Sequence, residues 1–228
     1  MMRRVKSQNI TLKLPAETIR QAKIVAAARS ASISALVAAK IDELVGEDAK
    51  YRAARRRALE WLSQGWHLGD RAPGRSDRDR IEIRSRSDPM TDRVFLDTDI
   101  LLAAHDLDAG ERRAIADHVV RQLWEDQTGV LSVLVLHEFY AALVSGPASP
   151  VPRRAARELV DAYSVWPLVS LDPADLLAAS EIEERHRLSI RDAMILSAAR
   201  KGRATLLLSS HIAPARHITG LEIRNPFA

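Results

Sequence analysis

The stretch Asn9-Ile10-Thr11-Leu12-Lys13-Leu14 alternates polar and apolar residues, the period-two pattern of a strand with one wet face. Pro15 follows at a position suited to the first turn of a helix, and helical spacing continues to about Arg29. Ser32 is placed to cap a second helix, in which Ile33, Leu36, Val37, Ile41 and Leu44 form one apolar stripe. One strand and two helices are too little to bury that stripe together with the apolar face of the strand, so the pattern calls for a second copy. Beyond Glu47, Ala49 to Ser63 continues at helical spacing through Tyr51, Ala54, Ala58 and Leu62, around the cluster Arg55, Arg56 and Arg57. The apolar stripe ends in Trp61, Trp66 and Leu68, large side chains in a segment with no core of its own, which must dock on something.

Gly69 to Pro89 holds 21 residues of which 11 are charged, a composition that cannot fold alone and reads as a linker or docking tail. Met90 then opens a different pattern and has the look of a former start codon, a hint that two proteins have been joined. From there, strand-like runs at Val94 to Leu96, Gly129 to Ser132, Trp166 to Leu171 and Thr205 to Ser209 alternate with helical patterns near 111–126, 135–144, 153–163, 173–186 and 190–201. That alternation predicts a parallel α/β sheet. The chain therefore divides into a head at residues 1–46, a tail at 47–89 and an α/β domain at 90–228.

Composition narrows the class. Hydrophobic residues make up 46% and charged residues 28%, enough apolar content for a globular core. Alanine occurs 35 times, which favours closely packed helices. The absence of cysteine excludes disulfides, zinc-thiolate sites and thiol catalysis. The longest uncharged run, Phe139 to Pro152, is 14 residues with three prolines, too short and broken for a membrane span, and Met1 to Leu14 lacks the apolar core of a signal peptide. A cytoplasmic protein with no membrane partner is expected. The net charge of +4 conceals a division: residues 1–89 carry 19 Lys/Arg against 11 Asp/Glu, whereas residues 90–228 carry 15 against 19. The basic part is suited to a polyanion.

The basic strand followed by two helices, over Val5 to Val45, resembles the ribbon-helix-helix DNA-binding domain, in which two chains pair their N-terminal strands in the major groove. With Ile10, Leu12 and Leu14 packed on the helices, Asn9, Thr11 and Lys13 face outward to base edges. Arg3, Arg4 and Lys6 are candidates for phosphates, and the helix start at Ser32 to Ser34 offers backbone N–H groups to another. The helix and arm that follow are similar to the toxin-binding tail of VapB-type antitoxins, whose arm often ends in an Arg-acid-x-Leu motif; Arg78-Asp79-Arg80-Ile81 is a loose match.

The remaining candidates are acids. Asp97 and Asp99 follow the first apolar run, on the turn where a strand ends, and working residues of parallel sheets gather at that edge. Glu138 in Leu136-His137-Glu138-Phe139 and Asp192 in Arg191-Asp192-Ala193-Met194-Ile195 are flanked by residues that belong in a core. Buried carboxylates need a partner or a metal. These segments, with Leu96-Asp97-Thr98-Asp99, Leu206-Leu207-Leu208-Ser209 and the ending Asn225-Pro226-Phe227, resemble the PIN-domain toxins of the VapC type from Arg93 onward. The resemblance implies a Mg²⁺- or Mn²⁺-dependent ribonuclease with Asp97, Glu138 and Asp192 as its acidic cluster and Asp99 as a further ligand. One departure stands out: where the family carries a fourth acid in a Ser/Thr-x-Asp pattern, this chain has Ser209-Ser210-His211. A neutral imidazole is a poor ligand for Mg²⁺ but acceptable for Mn²⁺, and Asp99, where many relatives have Asn, restores a charge.

The combined expectation is an antitoxin and its toxin on one polypeptide. The head dimerises on operator DNA as an autorepressor. Trp61, Leu62, Trp66 and Leu68 fill an apolar groove of the toxin domain, of the same chain or of the dimer partner. A tail arginine, with Arg71, Arg75, Arg78 and Arg80 as candidates, reaches the carboxylates. Two alternatives stay open: a repressor whose PIN domain is a non-catalytic assembly module, and a phosphate- or nucleotide-binding regulatory site, for which no Gly-rich loop is present. His105, His118, His137, His186 and His217 are scattered with no metal-ligand spacing and read as solvated or capping histidines, and Trp124 and Trp166 read as core.

Overall fold

A computed structural model describes residues 8, 10–69, 93–145, 151–212 and 220–228. The chain forms two compact units, Met1–Lys50 and Tyr51–Ala228.

In the first unit, α1 (Ala16–Ala28) follows Pro15, and α2 (Ile33–Gln64) begins after Ser32, whose Oγ accepts the N–H of Ala35 at 3.0 Å. The expected strand is not formed: residues 10–14 carry no ladder pairing, and Ile10 and Leu12 are 74% and 55% exposed instead of packing on the helices. The physical reason is that a strand exists only with a hydrogen-bonding neighbour. Ile41, Leu44 and Val45 also lie open, and Ala26 is the one buried residue among those described in this unit. The helical spacing from Ala49 to Ser63 is the uninterrupted continuation of α2.

In the second unit a five-stranded, wholly parallel sheet has the order β3-β2-β1-β4-β5, made of β1 (Val94–Leu96), β2 (Gly129–Ser132), β3 (Leu168–Val169), β4 (Leu206–Leu208) and β5 (Glu222–Arg224). Every residue of β1, β2 and β4 is buried, as continuous apolar runs in a parallel sheet require when helices cover both faces. The helices are α3 (Thr98–His105), α4 (Glu111–Asp126), α5 (Val133–Val144), α6 (Arg153–Tyr163), α7 (Pro173–His186) and α8 (Ile190–Lys201). Two elements were not anticipated. Asp97, at the turn that ends β1, caps the unanticipated α3, accepting the Thr98 N–H at 2.7 Å. Glu222 to Arg224, just ahead of the Asn225-Pro226-Phe227 ending, supplies an edge strand on β4. Among the described residues no single helix is long and apolar enough to cross a membrane.

The strand order reverses at β1: β2 and β3 lie to one side of it, β4 and β5 to the other. The carboxyl ends of β1 and β4 therefore open a crevice, the place where parallel sheets put their ligands.

From Tyr51 on, α2 is part of this unit's core. Ala54, Ala58 and Leu62 fall on one helical face and are fully buried. The Tyr51 hydroxyl donates to the Trp124 carbonyl at 3.0 Å, and Arg113 donates to the Leu62 carbonyl at 3.2 Å. Past the helix, Trp66 forms a parallel bridge with Asp106, and the Leu68 N–H donates to the Asp106 carboxylate at 3.0 Å.

Candidate functional site

Three elements deliver acids to the crevice. Asp97 ends β1 and is completely buried; its backbone N–H donates to Leu208 O of β4, which ties the acid to the neighbouring strand. Glu138 stands in the second turn of α5, a helix started by Ser132, whose Oγ accepts the Val135 N–H. Asp192 lies in the first turn of α8, where its N–H donates to the Ser189 cap at 3.0 Å. The side chains are fixed as well. The Ser209 hydroxyl donates to Asp97 Oδ2 at 2.8 Å, and the Thr98 hydroxyl donates to Glu138 Oε2 at 2.6 Å.

All three meet on one guanidinium. Arg191 places Nε on Glu138 Oε1 and Nη2 on Glu138 Oε2, both at 2.7 Å, a bidentate fork. The same Nη2 lies 3.0 Å from Asp97 Oδ1, and Nη1 lies 3.1 Å from Asp192 Oδ1. Sequence reasoning missed Arg191 as a site residue, although it sits in the quoted Arg191-Asp192-Ala193 segment. The signal available was its adjacency to a suspected ligand, a position from which a long side chain can turn back on the same site. No tail arginine takes this place among the described residues, and Arg71, Arg75, Arg78 and Arg80 lie outside them.

Asp99 completes the acidic edge from the first turn of α3. Its Oδ2 accepts the Ser210 N–H at 2.7 Å and the Ser210 hydroxyl, and lies 3.2 Å from His211 Nδ1. The Ser209–His211 turn therefore holds a carboxylate brought over from α3. Burial, reinforced by the neighbouring charge of Asp99, pushes Asp97 up to about 6 against the pull of Arg191. Burial would raise Asp99 too, but hydrogen bonds from His211 and Ser210 outweigh it and hold this acid below its ordinary value. The bond to Asp99 in turn raises His211, and Glu138 with Asp97 holds Arg191 above its usual range despite burial.

Carboxylate oxygens are the donors that hard divalent cations take, so the chemistry of Asp97, Glu138, Asp192 and Asp99 fits Mg²⁺ or Mn²⁺. Among the described residues, however, no three acids or histidines are gathered at ligand spacing. A guanidinium bridges the acids instead.

The other predicted residues lie elsewhere. Leu62 and Leu68 are buried, and Trp61 and Trp66 are partly buried against the core, stacked on each other at 5.1 Å. Trp66 leans on the buried His105 ring, which packs in turn on Phe139 and Tyr163. His105 is thus not the solvated or capping histidine expected: it is fully buried, and Nε2 lies 3.0 Å from the Tyr163 hydroxyl. Trp124 and Trp166 are core residues. Thr11 and Lys13 are exposed in the unpaired segment, Ser32 caps α2 and Ser34 is exposed beside it. Lys6, Asn9 and Arg78 lie outside the described residues.

Compared with known protein families, residues 94–210 match the PIN domain. A comparison with curated proteins finds no match.

Proposed function

Because the chain belongs to the PIN-domain family, a family typically of metal-dependent nucleases, we propose that it is a single-chain toxin–antitoxin protein. In this reading the C-terminal domain is an endoribonuclease using Mg²⁺ or Mn²⁺, and the N-terminal region both restrains it and binds operator DNA as a dimer. The observation that carries the nuclease part is the convergence of Asp97, Glu138 and Asp192, from three elements far apart in sequence, on one point at the reversal of strand order.

The residues divide the work. Asp97, Glu138 and Asp192 would hold the cation, which when bound supplies an activated water and neutralises charge developing on the phosphate oxygens. Ser209 and Thr98 keep Asp97 and Glu138 in one orientation through their hydroxyl hydrogen bonds. Asp99 supplies the carboxylate at the Ser209–His211 turn, which favours an active nuclease over a non-catalytic module.

For restraint, the supporting observation is the burial of Ala54, Ala58, Leu62 and Leu68 in the core of the PIN unit of the same chain. For the head, the support is the open apolar set Ile10, Leu12, Leu14, Ile41, Leu44 and Val45, which a second copy would cover while restoring the missing strand pairing. Thr11 and Lys13, on the alternate face, would then read DNA, and Lys6, Asn9, Ser32 and Ser34 would add to the contact.

The test is cleavage of a structured RNA by the full chain with Mg²⁺ or Mn²⁺, alongside a Trp61→Ala/Trp66→Ala variant and either protein carrying Asp97→Asn. Cleavage that rises in the tryptophan variant and vanishes with Asp97→Asn supports restraint by the tail. An absence of metal-dependent cleavage from both forms returns the PIN domain to the role of an assembly module.

A further inference from the structure

The guanidinium of Arg191 stands where the proposed cation must go. Its Nη2 is within 3.0 Å of Asp97 Oδ1 and 2.7 Å of Glu138 Oε2 at once, and a cation shared by those two acids would occupy the same space. The whole planar group is committed to the site: Nε and Nη2 hold both Glu138 oxygens, and Nη1 holds Asp192. Occupation by both cations together is excluded by volume and by charge repulsion.

Two further features make the occupant removable. Arg191 reaches in from the first turn of α8 with its side chain 38% exposed, so it can rotate out to solvent without moving the helix, which Ser189 caps independently. One positive charge also serves three carboxylates, Asp97, Glu138 and Asp192, so a divalent ion of hard oxygen preference has a driving force to replace it.

We propose that Arg191 is a resident cation that keeps the acids assembled and is displaced when a divalent metal binds, the freed guanidinium then standing at the rim of the site as a phosphate-binding group for the RNA backbone. This rests on the nuclease reading for the metal, but the competing arginine is a property of this chain's own α8. It makes metal affinity a contest between two cations, set by one side chain that is neither a metal ligand nor part of the tail.

The experiment is a Mn²⁺ titration of the full chain, followed by the electron paramagnetic resonance of free Mn²⁺ at fixed pH, for wild type, Arg191→Gln, Arg191→Lys and the double variant Arg191→Gln/Asp97→Asn. Circular dichroism melts check that each is folded. Removing a competitor held by charge-assisted bonds should tighten Mn²⁺ binding by about tenfold or more in Arg191→Gln. Arg191→Lys, which keeps the charge but loses the fork, should fall between. Asp97→Asn should cancel the gain, locating it at this cluster. A second readout is the retention of a short RNA with Ca²⁺ in place of Mn²⁺, which should weaken in Arg191→Gln although the metal binds better. Equal or weaker Mn²⁺ binding in Arg191→Gln than in a wild type that does bind overturns the displaced arginine and leaves the nuclease reading standing. If no form binds Mn²⁺, the nuclease reading falls and the proposal with it.

Discussion

Leu62→Ala tests whether the end of α2 is structurally part of the PIN unit. Leu62 is fully buried, on the face that also buries Ala54 and Ala58. The adjoining backbone is anchored by Arg113 on the Leu62 carbonyl, which limits collapse of the helix into the void. A Leu→Ala change at such a site loses transfer free energy and leaves a cavity, together about 3 kcal/mol within a usual range of about 2–5. For a unit of this size that corresponds to a fall in Tm of roughly 6–12 °C. The assay is urea unfolding followed by tryptophan fluorescence, since all four tryptophans (Trp61, Trp66, Trp124 and Trp166) lie in the second unit. Leu177→Ala, at a residue 68% exposed, is the control and should shift stability by less than about 0.5 kcal/mol. A loss below about 1 kcal/mol for Leu62→Ala, with an unchanged denaturant slope, refutes the claim that this helix shares the core.

The same interface should be acid-sensitive through His105, which burial holds down at about 3 against an ordinary 6.5. The unfolded chain binds this proton first, so the stability His105 gives by staying neutral is complete above about 6.5 and is lost as pH falls toward 3, at up to about 1.4 kcal/mol per pH unit. Asp97, raised to about 6, acts in the opposite sense between 3.8 and 6. The measurement is therefore the difference between wild type and His105→Gln, whose stability curve should lack one proton of slope between pH 6 and 4; parallel curves would contradict it. Gly129→Ala should destabilise by about 1–3 kcal/mol, because a Cβ there would lie 2.2–2.6 Å from the Trp166 ring, itself backed by Trp124 and Tyr163. Thermal melts give the result, and an unchanged Tm would mean the ring can move aside.

The α/β unit was legible in sequence because its signals are local. Continuous apolar runs such as Leu206-Leu207-Leu208 announce buried parallel strands, and caps such as Ser189 and Ser132 mark where helices begin. The candidate acids were legible for a related reason: Asp97, Glu138 and Asp192 each sit beside core residues, where a carboxylate needs a partner. Two local readings differ from the described structure. Residues 10–14 alternate as a strand does, but pairing is not a property of one segment. Asp97 followed by Thr98 and Asp99 read as the turn where a strand ends, and the carboxylate there also caps a helix that begins at once.

What local pattern could not reach is coincidence in space. Arg191 is 53 residues from Glu138 and 94 from Asp97, and its grip on both follows from the crossover of α8 to the edge where β1 and β4 end. His105 looked like one of several scattered histidines until packing placed Trp66 on one side and Phe139 and Tyr163 on the other. Periodicity depends on neighbours within a few residues and survives in the sequence, whereas a charge's partner and a ring's burial depend on which distant segments the sheet order brings together. The chain's letters thus carry its elements and its chemistry; folding assigns the arginine to the acids and the end of α2 to the core.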